Sequence, residues 1–167
     1  LGCSDLGVQI LTNTDPDIAD TLATQIDQLN TDRRAEEAAV RIAAEQMAEE
    51  KLAAQPDLPV LVLAKKNWHE GVIGIVAARL REKFNKPACV VSIQNGIGKG
   101  SGRSVSGWDL GSAIIGAVQS GLLKAGGGHK MAAGFSVGSE KVFELKQYLN
   151  DHFNRSVVES DNVVSLP

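Results

Sequence analysis

Residues 98–104 combine small side chains with groups that can donate hydrogen bonds to an anion. The segment reads GKGSGRS, so one arginine stands among glycines and serines. Arginine presents a planar fork that fits two phosphate oxygens, serine hydroxyls can donate beside it, and glycines let a ligand approach the backbone. These residues therefore predict a phosphate site formed by Ser101, Gly102, Arg103 and Ser104. A glycine-rich edge strand with a solvated arginine would have the same local composition.

A second segment of this kind is GGGHKMAAG, at residues 126–134. Consecutive glycines in a loop can turn their N–H groups toward one point and form an anion nest. His129 and Lys130 would add side-chain donors there, so we predict phosphate contacts at Gly127, Gly128, His129 and Lys130. A flexible glycine loop between two elements is the alternative, because the spacing matches neither a P-loop nor a dinucleotide-binding pattern.

The third segment, NWHEGVIG at residues 67–74, lies between a predicted buried strand and a predicted helix. Such junctions commonly hold an anion or a catalytic group. His69 could serve there as an acid, a donor or a ligand, or it could be a structural residue bonded to a carbonyl. The chain has three histidines, and their spacing is not that of metal ligands on one element, so we predict no metal site.

Charge is distributed unevenly along the 167 residues, although the net charge is only −3. Residues 1–57 carry 4 basic and 12 acidic side chains, residues 58–134 carry 10 and 3, and residues 135–167 carry 3 and 5. The basic middle third is compatible with polyanion binding, and solvated helix faces are the alternative. The chain has two cysteines, and it has neither an apolar run long enough to span a membrane nor a signal segment. We therefore expect it to be part of a longer cytoplasmic protein.

Alternating apolar runs and turn signals predict an α/β fold with a mixed sheet of about five strands flanked by helices. A long connecting helix precedes it, since no glycine or proline occurs between Pro16 and about Ala54; a helical hairpin broken at residues 30–32 is the alternative. We expect a helical segment at 1–57, a substrate-binding domain at 58–155 and a linker or new strand at 156–167. The predicted strands are 60–64, 87–94, 99–105 and 133–137, and the predicted helices are 4–12, 16–54, 71–85, 109–120 and 139–153.

The three segments, in this order and at these intervals, resemble the RecJ family of exonucleases specific for single-stranded DNA. Residues 58–154 are similar to the DHH-associated C-terminal domain of that family, through WHEGVIGIVA at 68–77, GKGSGRS at 98–104 and GGHKMAAG at 127–134. Residues 1–55 resemble the segment that connects this domain to the catalytic domain. The resemblance thus covers nearly the whole chain.

The resemblance implies 5′–3′ hydrolysis of single-stranded DNA with Mn²⁺ or Mg²⁺, in DNA repair and recombination. The family holds its metals in an N-terminal domain with Asp and His motifs, and none of these motifs occurs here. We therefore expect the substrate-binding half of the enzyme, without metal or cofactor of its own and inactive alone. Its partners would be single-stranded DNA and the N-terminal catalytic domain. We expect no binding to a membrane. His69 is its one candidate catalytic residue.

Carried over from the family, contacts to DNA phosphates fall on Ser101, Gly102, Arg103 and Ser104, and on Gly127, Gly128 and His129. Two other readings remain open. The domain could belong to a phosphodiesterase of oligoribonucleotides or cyclic dinucleotides, or it could be a non-catalytic nucleic-acid-binding or partner-binding module.

Overall fold

The computed structural model describes residues 2–12 and 14–164. The chain divides into two compact units, residues 1–38 and 39–167. This division falls inside the long helix that the sequence predicts. In each unit, capping or turn residues that can be recognised in the sequence lie at the ends of helices or strands.

The first unit contains α1 (Gly2–Thr12) and the beginning of α2 (Pro16–Ala54). Asp15 caps α2, since its Oδ1 accepts a hydrogen bond from the N–H of Asp17 at 3.0 Å. Proline then occupies the first helical position, where its fixed φ suits the helix. The helix is continuous through residues 30–32, so the hairpin alternative is wrong and the long helix is confirmed.

The second unit is organised around five strands: β1 (Leu61–Lys66), β2 (Ala88–Gln94), β3 (Ile97–Arg103), β4 (Ala125–His129) and β5 (Ala132–Gly138). They form one mixed sheet in the order β1-β2-β3-β5-β4. β1 and β2 are parallel and are joined by α3 (Ile73–Phe84), and the other neighbouring pairs are antiparallel. A tight turn at Asn95-Gly96 connects β2 to β3, with positive φ at both residues. The predicted α/β class is confirmed.

Helices cover the two faces of this sheet unequally. On one face lie α4 (Leu110–Gln119) and α5 (Val142–Val164), which follows a single 3-10 turn at Ser139–Lys141. They bury a core that includes Val91, Phe135 and Leu145. On the other face α3 and the C-terminal turns of α2 bury a second core with Leu63 and Val90. α3 packs against β2 and β3. On that same face, six residues of β4 and β5 remain partly or fully exposed: Ala125, Gly127, His129, Ala132, Gly134 and Ser136.

Two predictions about local structure are wrong. The glycines expected to form a loop belong to β4, because residues 125–129 pair in register with β5. The strand alternative from residue 156 is wrong as well, since α5 continues to Val164, whereas the linker stays a prediction; residues 165–167 lie outside the described part of the chain. The conformation of the glycine run depends on its pairing with β5.

Across the described ranges 2–12 and 14–164, none of the helices is both long enough and apolar enough to span a bilayer.

Candidate functional site

Strand β3 presents two chemically different faces because successive side chains of a strand point to opposite sides. A Cβ at Gly100 would lie 2.2 Å from the Phe135 ring, and one at Gly102 would lie 2.8 Å from Leu110. Packing of the α4 and α5 core therefore requires these glycines. The alternate positions carry the polar side chains on the opposite face: Lys99, Ser101 and Arg103.

The register of the antiparallel strands continues this polar face across β5 and β4. Arg103 pairs with Ala132, which in turn pairs with His129. Ser101 pairs with Gly134, which pairs with Gly127. Directly paired residues point to the same side of a sheet, so Ser101, Arg103 and His129 border a patch of small residues. We call this patch, formed by Gly127, Ala132 and Gly134, the glycine face.

The glycine face is open in a way that the chain's own packing does not require. A Cβ at Gly127 would meet nothing within 4 Å, and one at Gly134 would meet only the Gly100 carbonyl oxygen at 3.9 Å. Neither glycine has a positive φ. Side chains would therefore fit at both positions, and their absence leaves the backbone accessible to a ligand.

Arg103 lies at the border of the glycine face. Its Nη1 donates to the Ser101 hydroxyl at 3.1 Å and to the Gly102 carbonyl at 2.8 Å. Among the residues that the structure describes, no acidic side chain forms an ion pair with it. A half-buried guanidinium held in one orientation and lacking an anion is suited to bind one.

The first turn of α3 adjoins this arginine. A Cβ at Gly74 would lie 3.1 Å from Ser101 Oγ and 3.2 Å from Arg103 Nη2. α3 has no side-chain cap at its N-terminus. The partial positive charge of a helix N-terminus would add to that of the guanidinium.

His129 stands at the end of β4 with its ring exposed. Its Nδ1 accepts a hydrogen bond from the Met131 N–H at 3.3 Å, so the neutral ring carries its proton on Nε2. That nitrogen is therefore a donor. Gly111 of α4 packs closely against the backbone of His129. A Cβ at Gly111 would lie 2.9 Å from the carbonyl carbon of His129.

Two backbone hydrogen bonds hold the turn between β4 and β5. The Leu110 N–H donates to the Lys130 carbonyl at 3.2 Å, and the Ser104 N–H donates to the Met131 carbonyl at 2.9 Å. Lys130 itself is exposed near Asp109. The pKa of Asp109 is lowered, first by the hydrogen bond from the Ser112 N–H and to a lesser degree by the charge of Lys130.

The structure places the other predicted residues away from the glycine face. Ser104 is 1% exposed, and its hydroxyl donates to the Trp108 carbonyl at 2.9 Å. Gly102 and Gly128 point toward the core, where a Cβ at Gly128 would lie 2.3 Å from the Ala132 carbonyl oxygen. The expected anion nest is wrong because strand geometry directs successive N–H groups of β4 to opposite edges.

His69 belongs to the turn before α3. Its Nδ1 accepts a hydrogen bond from the Gly71 N–H at 3.0 Å, and both His69 and Glu70 are exposed. Trp68 beside it is buried, and its carbonyl accepts a hydrogen bond from the Ser92 hydroxyl. The hydrogen bond from Gly71 gives His69 a structural role in this turn. Nε2 of His69 takes no part in that hydrogen bond.

Sequence reasoning missed three residues of this face, Lys99, Gly134 and Ser136. Lys99 Nζ donates to Ser136 Oγ at 3.1 Å, across strands 37 residues apart. The alternation of glycine and polar residues in 98–103 was the available signal, because it indicates a strand with one face against the core.

In the described segments 2–12 and 14–164, no group of three or more His, Cys, Asp or Glu side chains is placed to hold a metal ion.

The family model described as the DHHA1 domain matches residues 57–155. The chain belongs to the DHHA1 domain family. The matched range contains all five strands, so the glycine face and its bordering side chains lie within the DHHA1 domain.

The relatives of this DHHA1 protein confirm the resemblance to the RecJ family. It is 36% identical over 160 residues to "Single-stranded-DNA-specific exonuclease RecJ" of Bacillus subtilis, covering 95% of this chain and 20% of that protein. It is 34% identical over 146 residues to the Escherichia coli protein of the same name, covering 85% of this chain and 25% of the relative. The chain thus spans about a fifth to a quarter of the length of these relatives.

A solved structure shares this fold. RecJ of Thermus thermophilus in complex with Mg²⁺ has a TM-score of 0.74 and 29% identity to the DHHA1 protein, over 90% of this chain and 23% of that one. RecJ from the same source has also been solved in complex with Mn²⁺, with the same TM-score and identity.

Proposed function

We propose that this DHHA1 domain binds the phosphates of single-stranded DNA for a metal-dependent 5′–3′ exonuclease of RecJ type, acting in DNA repair and recombination in the cytoplasm. The observation that carries the proposal is the open glycine face beside an arginine without an ionic partner in the described chain. The name and substrate of the relatives support the same reading.

The phosphate contacts are assigned to three side chains. Arg103 supplies the charge, the Ser101 hydroxyl lies 3.1 Å from its Nη1, and His129 donates from Nε2 at the far border of the face. Gly127 and Gly134 have no side chains, so the DNA strand can lie directly on the protein backbone. Gly102, Gly128 and Ser104 contribute by supporting this surface, and Lys130 adds positive charge at the turn.

Hydrolysis itself requires more than this domain offers. Two-metal phosphoryl transfer needs carboxylate and histidine ligands, and the residues of the described chain do not gather such a set. We assign the Mn²⁺ or Mg²⁺ site to an N-terminal catalytic domain, which would be the partner of this one. Residues of this chain then bind and orient the DNA, and His69 stays a candidate for a role near the junction.

The test is a titration of a labelled single-stranded 12-mer of deoxythymidine with this chain, at low and moderate salt. Arg103→Ala should weaken binding about tenfold, as expected for a lost charge-assisted hydrogen bond. It should also reduce the salt dependence by about 0.7 in the slope of log K against log salt, the value for one phosphate of a single strand. Lys141→Ala removes an equal charge from the α5 side, where its Nζ donates to the Gly121 carbonyl, and should change neither quantity.

Equal affinities of the wild-type chain and Arg103→Ala would contradict the proposal. A short oligoribonucleotide or a cyclic dinucleotide that competes better than the DNA 12-mer would instead favour a phosphodiesterase of small ligands.

A further inference from the structure

A second cationic position lies on the same face as Arg103, one cross-strand row away from Ser101. The register pairs Lys99 with Ser136, and Ser136 with Ala125. The neighbouring row pairs Ser101 with Gly134 and Gly127. Alternation places both rows on the face that α4 and α5 do not cover.

The side chain of Lys99 is exposed and leans across the sheet. Its Nζ donates to the Ser136 hydroxyl at 3.1 Å. In the described residues no carboxylate forms an ion pair with it. The ammonium retains two further donors, and the hydroxyl can still donate its own proton.

This pair of donors borders a depression in the surface. The depression is lined by Lys99, Ser136 and neighbouring residues of β3, β4 and β5, with Gly127 and Gly134 among them. An open, shallow surface with glycines, bordered by a cation that pairs with no carboxylate of the described residues, suits an anionic group.

The pair and Arg103 occupy separate positions along β3. Strand residues four apart are separated by about 13 Å along β3. Arg103 leans toward Ser101, whereas Lys99 leans toward β5. The two cations therefore form two donor groups along one line of the sheet.

We propose that Lys99 and Ser136 bind a second phosphate of the DNA strand, next to the phosphate at Ser101 and Arg103. This inference rests on the proposed function, because it takes single-stranded DNA as the ligand. The second phosphate also gives the path of the bound DNA, which runs parallel to β3 and over the glycine face.

A double-mutant cycle on the same DNA 12-mer tests the inference. We expect Lys99→Ala to weaken binding about tenfold and to lower the salt slope by about 0.7. Lys99→Arg should retain affinity within about twofold, because it keeps the charge. Losses at separate phosphates should multiply, so the double variant Lys99→Ala/Arg103→Ala should bind about a hundredfold more weakly, with a slope reduced by about 1.4.

The possible results separate the two proposals. If Arg103→Ala weakens binding but Lys99→Ala behaves like Lys141→Ala, the second phosphate is overturned and the proposed function stands. If the double variant binds no more weakly than Arg103→Ala alone, both cations serve one phosphate and the inference is also overturned. If the wild-type chain binds no DNA, or Arg103→Ala is without effect, both proposals fail. Unchanged thermal melting of every variant is the control for folding.

Discussion

Glycine serves two opposite purposes within one sheet. At Gly100 a methyl group would enter the Phe135 ring at 2.2 Å, so the core excludes it. At Gly127 a methyl group would meet nothing within 4 Å, so the core places no demand there. The first glycine is explained by packing, and the second is explained by a ligand that approaches the backbone.

Substitution by alanine should separate these purposes. Gly100→Ala should lower the free energy of unfolding by about 1–3 kcal/mol, as overpacking does. Gly127→Ala should change it by less than about 0.5 kcal/mol but weaken DNA binding, since its methyl group would occupy the open face. Urea unfolding and the 12-mer titration measure the two effects. A Gly127→Ala chain that binds DNA as well as wild type would show that the ligand does not touch this glycine.

At the scale of elements, α4 holds the hairpin that carries His129. Asp109 caps this helix by accepting a hydrogen bond from the Ser112 N–H at 3.0 Å. The next residue, Leu110, donates its N–H to the Lys130 carbonyl, and Gly111 packs against the backbone of His129. The position of the histidine therefore depends on the start of α4.

Loss of this cap should cost stability in a pH-dependent manner. Asp109→Ala should lower the free energy of unfolding by about 1 kcal/mol at neutral pH. The pKa of Asp109 is lowered in the folded chain, chiefly by the Ser112 N–H. Its contribution is thus present above the ordinary value of 3.8 and is lost as pH falls through the lower folded value.

Urea unfolding of wild type and Asp109→Ala at several pH values measures this difference. Asp109→Asn is the matched control, because asparagine caps a helix nearly as well and does not titrate. A difference between wild type and Asp109→Ala that stays constant down to pH 2 would argue against the ionised cap.

At the scale of the second unit, two helical layers enclose one sheet and leave part of one face uncovered. Cys89, on the covered side, is 0% exposed, and burial raises the pKa of its thiol to about 12. On the uncovered side the bordering side chains are basic or hydroxylated, with no metal-binding set among the described residues. The proposed function assigns DNA binding to this surface and the chemistry to another domain.

The chain by itself should therefore bind DNA without cleaving it. Incubated with Mn²⁺ and a labelled single-stranded 12-mer, it should give no more product than a mock purification. Turnover that follows the purified chain and is absent from the mock would contradict this prediction. Loss of that turnover in His69→Ala would then give the histidine a catalytic role.

Much of the fold could be predicted because its helices carry local signals. Pro16 begins α2, Asp109 begins α4, and Asn85 ends α3 with a positive φ. The glycine run at 126–128 was predicted as a loop because three glycines have weak strand preference. Pairing with β5, which no local signal in the run itself reports, makes it a strand.

The site divides in the same way. Arg103, Ser101 and His129 could be selected from residue chemistry alone, because an arginine or histidine among glycines is unusual in a core. Ser104 was selected with them, yet its hydroxyl is used inside the protein by the Trp108 carbonyl. Strand register decides whether a polar side chain faces solvent or the protein interior, and this orientation cannot be read from the residue type.

The amino-acid sequence by itself determined the positions of the helices apart from the end of α5, the α/β class, the RecJ resemblance and the residue types that could meet phosphate. These features depend on local patterns and motifs. The tertiary structure decided which of those residues share one surface. It joined Lys99 to Ser136 and set Ser101 beside Gly134, across strands that are distant in the chain. The physical reason is that strand pairing is a long-range interaction, and a shift of one residue would turn every side chain of β3 to the opposite face.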